Sequence, residues 1–307
     1  MKKKIIIGTR KSKLALIYAK IAKKKIQKIK SKFGITSVEI KKITTKGDVV
    51  QNRRISDIGG KGLFTKKIEY ELLSKKIDIA IHALKDIPSA ESKKLSVNCF
   101  LKRNDPRDVL ISRDKKKFQN LPKNSVIGTS SFRREFQLKR IRNDLTYKLI
   151  RGNVDTRIKK LKNNLYDAII LSYAGLKSLK MENNISQIFS LSQIIPSAGQ
   201  GAIALQCRKN DHQINKLLNF VNHPSTHKCV NAERDVLKVL DGDCETPVGA
   251  NAKIIRNKLN LVVELFSIDG KKRFYMKSSK KLSLANIIGK ELGEKIKKRS
   301  KKLYKKK

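Results

Sequence analysis

The sequence predicts an α/β fold made of two similar domains, followed by a small α+β domain. Short apolar strands alternate with helices that are apolar on one face, which is typical of an α/β sheet. The pattern then restarts, because a strand that ends at Gly128-Thr129 repeats one that ends at Gly8-Thr9, each time before a helix. After about residue 220 the order changes to a helix followed by two strands.

The first region contains strands predicted at residues 5–7, 38–43 and 77–81. Ser12 has a side chain suited to cap the helix that follows the first strand, and apolar residues recur there at helical spacing. A second helix is predicted at 63–73.

The second region has the same alternation. Its predicted elements are a strand at 126–129, a helix at 132–141, strands at 145–150 and 168–171, and between these two strands a helix opened by the loop 151–157. The small residues at 196–201 predict a hinge, and the strand expected at 202–207 is placed to return to the first sheet.

The third region is predicted to hold a helix at 226–240, a loop at 241–249, strands at 259–266 and 273–276, and a basic C-terminal helix. The turn Asp269-Gly270 joins the two strands. The predicted domains are therefore residues 1–101 with 202–219, residues 102–201 with the hinge near 196–201, and residues 220–307.

The chain is strongly basic, with 72 Lys plus Arg against 26 Asp plus Glu and a net charge of +46 over 307 residues. Such a charge is typical of nucleic-acid binding, but the chain has no tryptophan and aromatic residues make up only 6%, so stacking residues are scarce. The basic runs at 1–30 and 271–307 are expected to be solvated helix faces. We expect no specific nucleic-acid partner.

Location and thiol chemistry follow from two further features. Only Ile5, Ile6 and Ile7 follow the N-terminal lysines, fewer apolar residues than a signal peptide needs, and no later run approaches a membrane span, so a cytoplasmic protein without a membrane partner is expected.

The four cysteines form no C-x-x-C pair, which favours free thiols. His223 and His227 near Cys229 lack the spacing of a zinc site, so no metal is expected.

Arginines concentrate where predicted strands end and helices begin. These residues and their polar neighbours are Arg10 and Ser12 at one junction, Thr129, Ser130, Ser131, Arg133 and Arg134 at a second, and Arg151 and Arg157 at a third. Helix N-termini at such strand ends bind anions, and the guanidinium fork grips a carboxylate with two hydrogen bonds. The pattern predicts an anion site in a cleft, although each arginine alone could equally cap a helix or pair on the surface.

Three loops carry further candidate residues. Lys85 and Asp86 follow the strand at 77–81 directly, where Asp86 is either an acid/base or cation-stabilising carboxylate or half of a solvated ion pair. The glycines around Lys61 predict a flap with Phe64 as its apolar tip or as ordinary core. Cys244 lies in a turn-rich loop that exposes its thiol as an attachment point or nucleophile, while acidic neighbours should raise its pKa.

The motifs in order resemble those of the porphobilinogen deaminase (hydroxymethylbilane synthase) family over almost the whole chain. They are Thr9-Arg10-Lys11-Ser12, Thr44-Thr45-Lys46-Gly47-Asp48, Gly59-Gly60-Lys61-Gly62-Leu63-Phe64, His82-Ala83-Leu84-Lys85-Asp86-Ile87-Pro88, Asp105-Pro106-Arg107-Asp108, Gly128-Thr129-Ser130-Ser131-Phe132-Arg133-Arg134, Arg151-Gly152-Asn153-Val154-Asp155-Thr156-Arg157, Gly199-Gln200-Gly201 and Cys244-Glu245-Thr246-Pro247-Val248-Gly249.

The resemblance implies a transferase that condenses four porphobilinogen molecules head to tail, with loss of ammonia, into hydroxymethylbilane for haem synthesis. It implies two domains like those of periplasmic binding proteins around a cleft, a small C-terminal α+β domain, and a monomer. It also implies a dipyrromethane cofactor joined by a thioether to Cys244, with Asp86 stabilising the azafulvene cation left by ammonia. The arginine-rich junctions with Lys85 are then expected to bind pyrrole carboxylates, and Lys61, Phe64 and Gln200 to belong to the flap and cleft.

The chain departs from the family pattern at three positions. Asp243 stands where glycine usually precedes the anchor cysteine, Ala83 where serine is common, and Ser178 where an arginine is frequent. Two alternatives from other classes remain. A two-domain solute-binding protein shares the hinge and the cationic cleft, but it has no need of Cys244 and normally carries an export signal. A basic nucleic-acid-binding protein would explain the charge of +46, although stacking residues are scarce.

Overall fold

A computed structural model describes residues 3–45, 47, 62–90, 92–242 and 246–305. The first half of the chain forms, in order, β1 (Lys4–Arg10), α1 (Lys13–Gln27), β2 (Ser37–Ile43), α2 (Lys66–Leu73), β3 (Ile79–Ala83), β4 (Leu95–Phe100), β5 (Asp108–Ser112), β6 (Val126–Gly128), α3 (Phe132–Lys139), β7 (Thr146–Lys148) and α4 (Val154–Lys162). The remainder forms β8 (Ala168–Ser172), α5 (Tyr173–Ser178), β9 (Gln187–Ile188), β10 (Ile203–Arg208), α6 (His212–Val221), α7 (Pro224–Leu240), β11 (Val248–Ile255), β12 (Lys258–Phe266), β13 (Arg273–Lys281) and α8 (Ile288–Ser300).

The first sheet has the strand order β2-β1-β3-β10-β4. β1 runs parallel to β2 and β3, whereas β10 runs antiparallel to β3 and β4, so the strand after the small-residue segment returns to this sheet as expected. Apolar residues of α1 and α6 pack on one face of the sheet, and those of α2 pack on the other. Ser12 caps α1 by accepting a hydrogen bond from the backbone N–H of Ala15, as its position predicts.

The second sheet repeats this arrangement with the order β7-β6-β8-β5-β9. β6 is parallel to β7 and β8, while β5 is antiparallel to β8. The chain passes from the first sheet to the second through the segment 101–107, which leads into β5. It returns to the first sheet through the segment 196–202, which leads into β10. Two segments thus cross between the α/β sheets, and the expected architecture of two α/β domains is confirmed.

The third region is a three-stranded antiparallel sheet, β11-β12-β13, packed against α7 and α8 around a shared apolar core. The sequence did not predict β11, because its first residues follow the Thr246-Pro247 turn and were assigned to a loop. β13 also shows that the basic run at 271–307 is not helical throughout, since exposed and covered residues alternate along this strand. No helix in the described ranges is both long and apolar enough to span a membrane.

Glu233, a residue that the sequence pattern did not single out, ties the third region to both crossing segments. It is fully buried in α7 and binds the Arg103 guanidinium through two oxygens, at 2.5 and 3.1 Å. The same carboxylate accepts the backbone N–H groups of Gly199 and Ala252, each at 2.7 Å. One buried carboxylate therefore joins both crossing segments, at Arg103 and Gly199, to strand β11 of the third region, at Ala252.

We predict that Glu233→Gln lowers the free energy of unfolding by about 3–5 kcal/mol, because it leaves the Arg103 guanidinium largely buried without its counter-charge. Urea unfolding followed by circular dichroism measures the change. Glu39→Gln is the matched control: it breaks an exposed pair with Lys4, which should contribute at most about 1 kcal/mol. Equal losses in the two variants would contradict the role of Glu233.

Candidate active site

A cavity of about 710 Å³ opens where the two α/β sheets and the third region meet. Among the described residues that line it are eight cationic side chains and two carboxylates. The cations are Arg10, Lys11, Lys13, Lys85, Arg133, Arg134, Arg151 and Arg157, and the carboxylates are Asp86 and Asp155. The three arginine-rich junctions predicted from sequence therefore meet at one cleft.

Residues at the C-terminal ends of β1 and β3 form the first wall. Arg10 ends β1, and its guanidinium carbon lies 4.1 Å from the centre of the Phe64 ring, in a cation–π contact. Arg10 Nη1 also lies 4.0 Å from Asp86 Oδ2. Asp86 belongs to a one-turn 3-10 helix directly after β3 and keeps 34% of its side chain exposed, so its carboxylate remains open to the cavity.

Lys85 lies beside Asp86 in the same turn and also lines the cavity. Burial, together with the nearby charge of Arg134, lowers the pKa of its ammonium group to about 8 despite the opposing charge of Asp86. Burial and the arginine charge thus outweigh the carboxylates of Asp86 and Asp108 at this ammonium group.

The second wall comes from the loops before α3 and α4. Ser130 donates its hydroxyl proton to the Ile150 carbonyl, and Arg157 Nε donates to the Gly152 carbonyl at 2.9 Å. Burial and the charges of Arg134 and Arg151 lower the pKa of Arg157 to about 10. Burial and the charge of Arg10 likewise lower the pKa of Arg151. These guanidinium groups repel one another, and the charge of Asp86 opposes the shift of Arg157 only in part, so the arrangement favours an anionic ligand.

Two of the other predicted polar residues support this wall. Ser131 lines the cavity as the N-cap residue of α3, and its backbone N–H donates to Thr129 Oγ1 at 3.2 Å. Thr129 itself is buried, with only 3% of its surface exposed, and is not among the lining residues. Its hydroxyl therefore shapes the Ser131 turn.

Arg133, Arg134 and Gln200 share a partner that sequence reasoning missed. The Asp108 carboxylate, fully buried at the start of β5, accepts from Arg133 Nη1 at 2.7 Å, from Arg134 Nη2 at 2.7 Å and from Gln200 Nε2 at 2.9 Å. Burial opposes ionisation of Asp108, but the two arginine charges outweigh it and hold its pKa well below the usual range. The sequence did contain one indication of this partner. Asp108 begins an otherwise apolar strand, and a carboxylate buried there needs a cation beside it.

Several predicted residues fall elsewhere. Lys61, Cys244 and the departure Asp243 lie outside the described residues. Cys99, Cys207 and Cys229 are buried free thiols, and burial raises the pKa of Cys99 and Cys207 to about 12 and of Cys229 to about 11. His223 caps α7, because its Nδ1 accepts the backbone N–H of Thr226 at 3.2 Å. Within the described ranges no three His, Cys, Asp or Glu side chains form a metal-binding group.

Comparison with known proteins identifies the class of this cleft. A family model described as "Porphobilinogen deaminase, dipyromethane cofactor binding domain" matches residues 5–216, and one described as "Porphobilinogen deaminase, C-terminal domain" matches residues 227–298. The porphobilinogen deaminase of Rickettsia bellii is 45% identical over 270 residues, which cover 87% of this chain and 89% of that protein. That of Alkaliphilus metalliredigens is 40% identical over 290 residues, covering 94% and 91%.

Among solved structures, the BvgS VFT2 domain of Bordetella pertussis matches with a TM-score of 0.44 and 13% identity, covering 71% of this chain and 86% of that one. A periplasmic binding protein of Salmonella typhimurium matches with a TM-score of 0.40 and 17% identity, covering 72% and 93%.

The sheets and the cationic cleft define a multidomain α/β protein built to hold an anionic small molecule. Together with the matches along the chain, they lead to a specific assignment. The chain belongs to the porphobilinogen deaminase family, which comprises transferases of tetrapyrrole synthesis that carry a dipyrromethane cofactor, and the resemblance drawn from its motifs is confirmed.

The cavity fits such a cofactor chemically. A dipyrromethane carries acetate and propionate groups, which require cationic donors. Arg133 Nε and Arg151 Nε are buried and make no hydrogen bond within the described part of the chain, so each cavity-lining guanidinium retains an unused donor. Buried unsatisfied donors are rare in folded proteins and here lie where carboxylates are required.

We predict that Asp108→Asn lowers the free energy of unfolding by about 3–5 kcal/mol at pH 7, because two buried arginines lose their counter-charge. The folded-state pKa of Asp108 is depressed, so its contribution is complete above the unfolded value of about 3.9 and is lost as pH falls through the folded value. The difference between parent and variant should therefore shrink below about pH 4.

Urea unfolding at several pH values measures this difference. The matched control is Asp114→Asn, which removes an exposed carboxylate paired with Arg113 at 3.6 Å. It should change stability by less than about 1 kcal/mol at pH 7. A pH-independent gap between the parent and Asp108→Asn would argue against ionised Asp108 as the counter-charge.

Proposed function

We propose that this cavity carries out the hydroxymethylbilane synthase reaction, the head-to-tail condensation of four porphobilinogen molecules with release of ammonia. The observation that supports it most directly is the excess of cations over carboxylates among the described lining residues of one cavity, in a chain of this family. Each added pyrrole brings two carboxylates, so a growing chain accumulates negative charge that complements the excess of cations among the described lining residues.

We assign carboxylate binding to the cationic and hydroxyl groups of the three junctions. These residues are Arg10, Ser12, Lys85, Ser131, Arg133, Arg134, Arg151 and Arg157. The Ser130 hydroxyl donates its proton to the Ile150 carbonyl, so Ser130 is proposed to support the cavity wall. Asp108 orients both Arg133 and Arg134, and Arg133 Nε makes no hydrogen bond within the described part of the chain. Thr129 and Gln200 serve indirectly, the first through Ser131 and the second through Asp108.

Asp86 is proposed as the catalytic carboxylate. Its position beside Arg10 and its partly exposed side chain allow it to accept pyrrole N–H groups at the cavity surface. A fixed negative charge at that point stabilises the cation that forms when ammonia leaves the substrate, and it assists proton movement.

Cys244 is proposed to anchor the cofactor through a thioether. It lies outside the described residues, but Gly242 and Thr246 on either side of residues 243–245 both line the cavity. Ser89 donates a hydrogen bond of 2.7 Å to the Gly242 carbonyl, which holds one end of this loop against the first α/β region. When bound, the dipyrromethane supplies the pyrrole end to which substrate is joined.

Further proposals concern the flap and the organisation of the protein. Phe64 packs on Arg10 and lines the cavity, which supports a role for it and for Lys61 in covering the cleft. We propose the domain limits given by the sequence, since each sheet draws its strands from within one of them. A cytoplasmic monomer without a nucleic-acid partner is proposed on the sequence and the family alone.

We predict that Asp86→Asn reduces turnover roughly a hundredfold or more, because the shape is kept while the charge opposite the developing cation is lost. Steady-state formation of hydroxymethylbilane from porphobilinogen measures it, and the mass of the intact protein shows whether the cofactor is still attached. Asp114→Asn, which changes an exposed residue that is not among the described lining residues of the cavity, should match the parent. Near-normal turnover of a cofactor-bearing Asp86→Asn protein would remove Asp86 from this role.

We predict that Cys244→Ser abolishes both the covalent adduct and the activity, because a serine hydroxyl is a far weaker nucleophile than a thiol and forms no thioether. Peptide mass mapping of the purified parent should place a dipyrromethane on Cys244. Cys229→Ser is the control, since Cys229 is a buried free thiol of α7. An adduct on another cysteine, or an active parent without one, would overturn the anchor assignment.

A further inference from the structure

His82 is a cavity residue that the proposed chemistry does not use. It lies in β3, is 6% exposed, and lines a small pocket of about 50 Å³ next to the main cavity. Arg10, Tyr18, Phe64 and Asp86 line the same pocket. The imidazole is therefore a buried polar group next to the proposed catalytic carboxylate.

A chain of two hydrogen bonds fixes the proton on this ring. Gln206 Nε2 donates to Glu69 Oε1 at 3.1 Å, and Gln206 Oε1 lies 3.1 Å from His82 Nε2. A carboxylate can only accept, so the amide NH₂ must face Glu69 and the amide oxygen must face His82. His82 Nε2 must then carry the proton, which leaves a lone pair on Nδ1.

The ring is also held neutral. Burial is the main cause that lowers the pKa of His82 to about 4, the charge of Arg10 adds to it, and the hydrogen bond with Gln206 opposes it only in part. Near pH 7 Nδ1 is therefore an acceptor and not a donor. It makes no hydrogen bond to any residue in the described ranges.

Porphobilinogen supplies the donors that such an acceptor needs, on its pyrrole nitrogen and on its aminomethyl group. We propose that His82 Nδ1 accepts a hydrogen bond from an N–H group of porphobilinogen bound at Asp86, and that Glu69 and Gln206 position His82 by fixing its tautomer. This inference rests on the proposed function. It adds a neutral acceptor to a site in which the other groups near Asp86 are mostly cationic donors.

Two substitutions at His82 separate this role from a structural one. In His82→Gln the longer amide can still donate to Gln206, but no acceptor remains at the Nδ1 position. In His82→Asn the amide oxygen can occupy the Nδ1 position, but the link to Gln206 is lost. The proposal expects kcat/KM to fall about five- to tenfold in His82→Gln, the loss of one hydrogen bond, and to fall less in His82→Asn. The reverse order would overturn it.

The tautomer can be read without any assay of activity. Ring ¹⁵N NMR of the purified holoenzyme at pH 7 should show His82 with a protonated Nε2 and an unprotonated Nδ1. Glu69→Gln frees the Gln206 amide to turn over, so this variant should show mixed tautomers and a smaller loss of kcat/KM than His82→Gln.

Glu71→Gln is the matched control for the tautomer measurement. It removes a carboxylate of the same helix that instead binds Lys41 Nζ at 2.7 Å, and it should leave the His82 signals unchanged. A protonated Nδ1 in the parent would contradict the proposal even if the enzyme makes hydroxymethylbilane. An inactive parent with the expected tautomer would instead count against the proposed function.

A substrate analogue identifies which group donates. The probe is porphobilinogen with methyl in place of aminomethyl, tested as a competitive inhibitor of the parent and of His82→Gln. If the variant binds the probe several-fold more weakly than the parent does, the pyrrole N–H is the donor. If the two proteins bind it equally while porphobilinogen is bound more weakly by the variant, the aminomethyl group is the donor. Equal binding of both compounds by parent and variant would overturn the proposal.

Discussion

The buried carboxylate of Asp108 is the interaction on which the cleft depends. It lies where the chain has just crossed from the first sheet to the second, and it binds two arginines of α3 and a glutamine of the second crossing segment. Each of these charges would be strongly unfavourable alone in the interior, and they are tolerated because the carboxylate binds both guanidiniums directly. Both crossings and the cleft wall are consequently fixed by one set of charge-assisted hydrogen bonds.

Beyond Asp108, cationic side chains outnumber carboxylates among the described residues that line the cleft. Burial and mutual repulsion lower the pKa values of Lys85, Arg151 and Arg157, all of which line the cavity. A ligand with several carboxylates would relieve this repulsion. The overall charge of +46 is a separate property, since most of it lies on lysines of exposed faces.

The third region contributes position more than charge. Glu233 of α7 binds Arg103 of one crossing segment and Gly199 of the other, and the end of α7 leads directly into residues 243–245. The loop proposed to hold the cofactor is thereby built on the same helix that braces the two crossings. The Glu69–Gln206–His82 chain links α2, β10 and β3 beside the small pocket that His82 and Asp86 both line, so a second polar network supports the site.

Local patterns were enough to predict the alternating α/β architecture, the Ser12 cap and the return of β10, because each depends on neighbours within a few residues. They also predicted that Arg10, Asp86 and Arg151 lie together, because the ends of parallel strands share one edge of a sheet. They missed β11, which follows a turn. They also could not reveal that Arg133 and Gln200 are bound to Asp108, 25 and 92 residues away in sequence. Only the tertiary structure decided those partners. A buried charge is stable only when the fold brings an opposite charge within hydrogen-bond distance, and the separation of two residues in sequence does not give that distance.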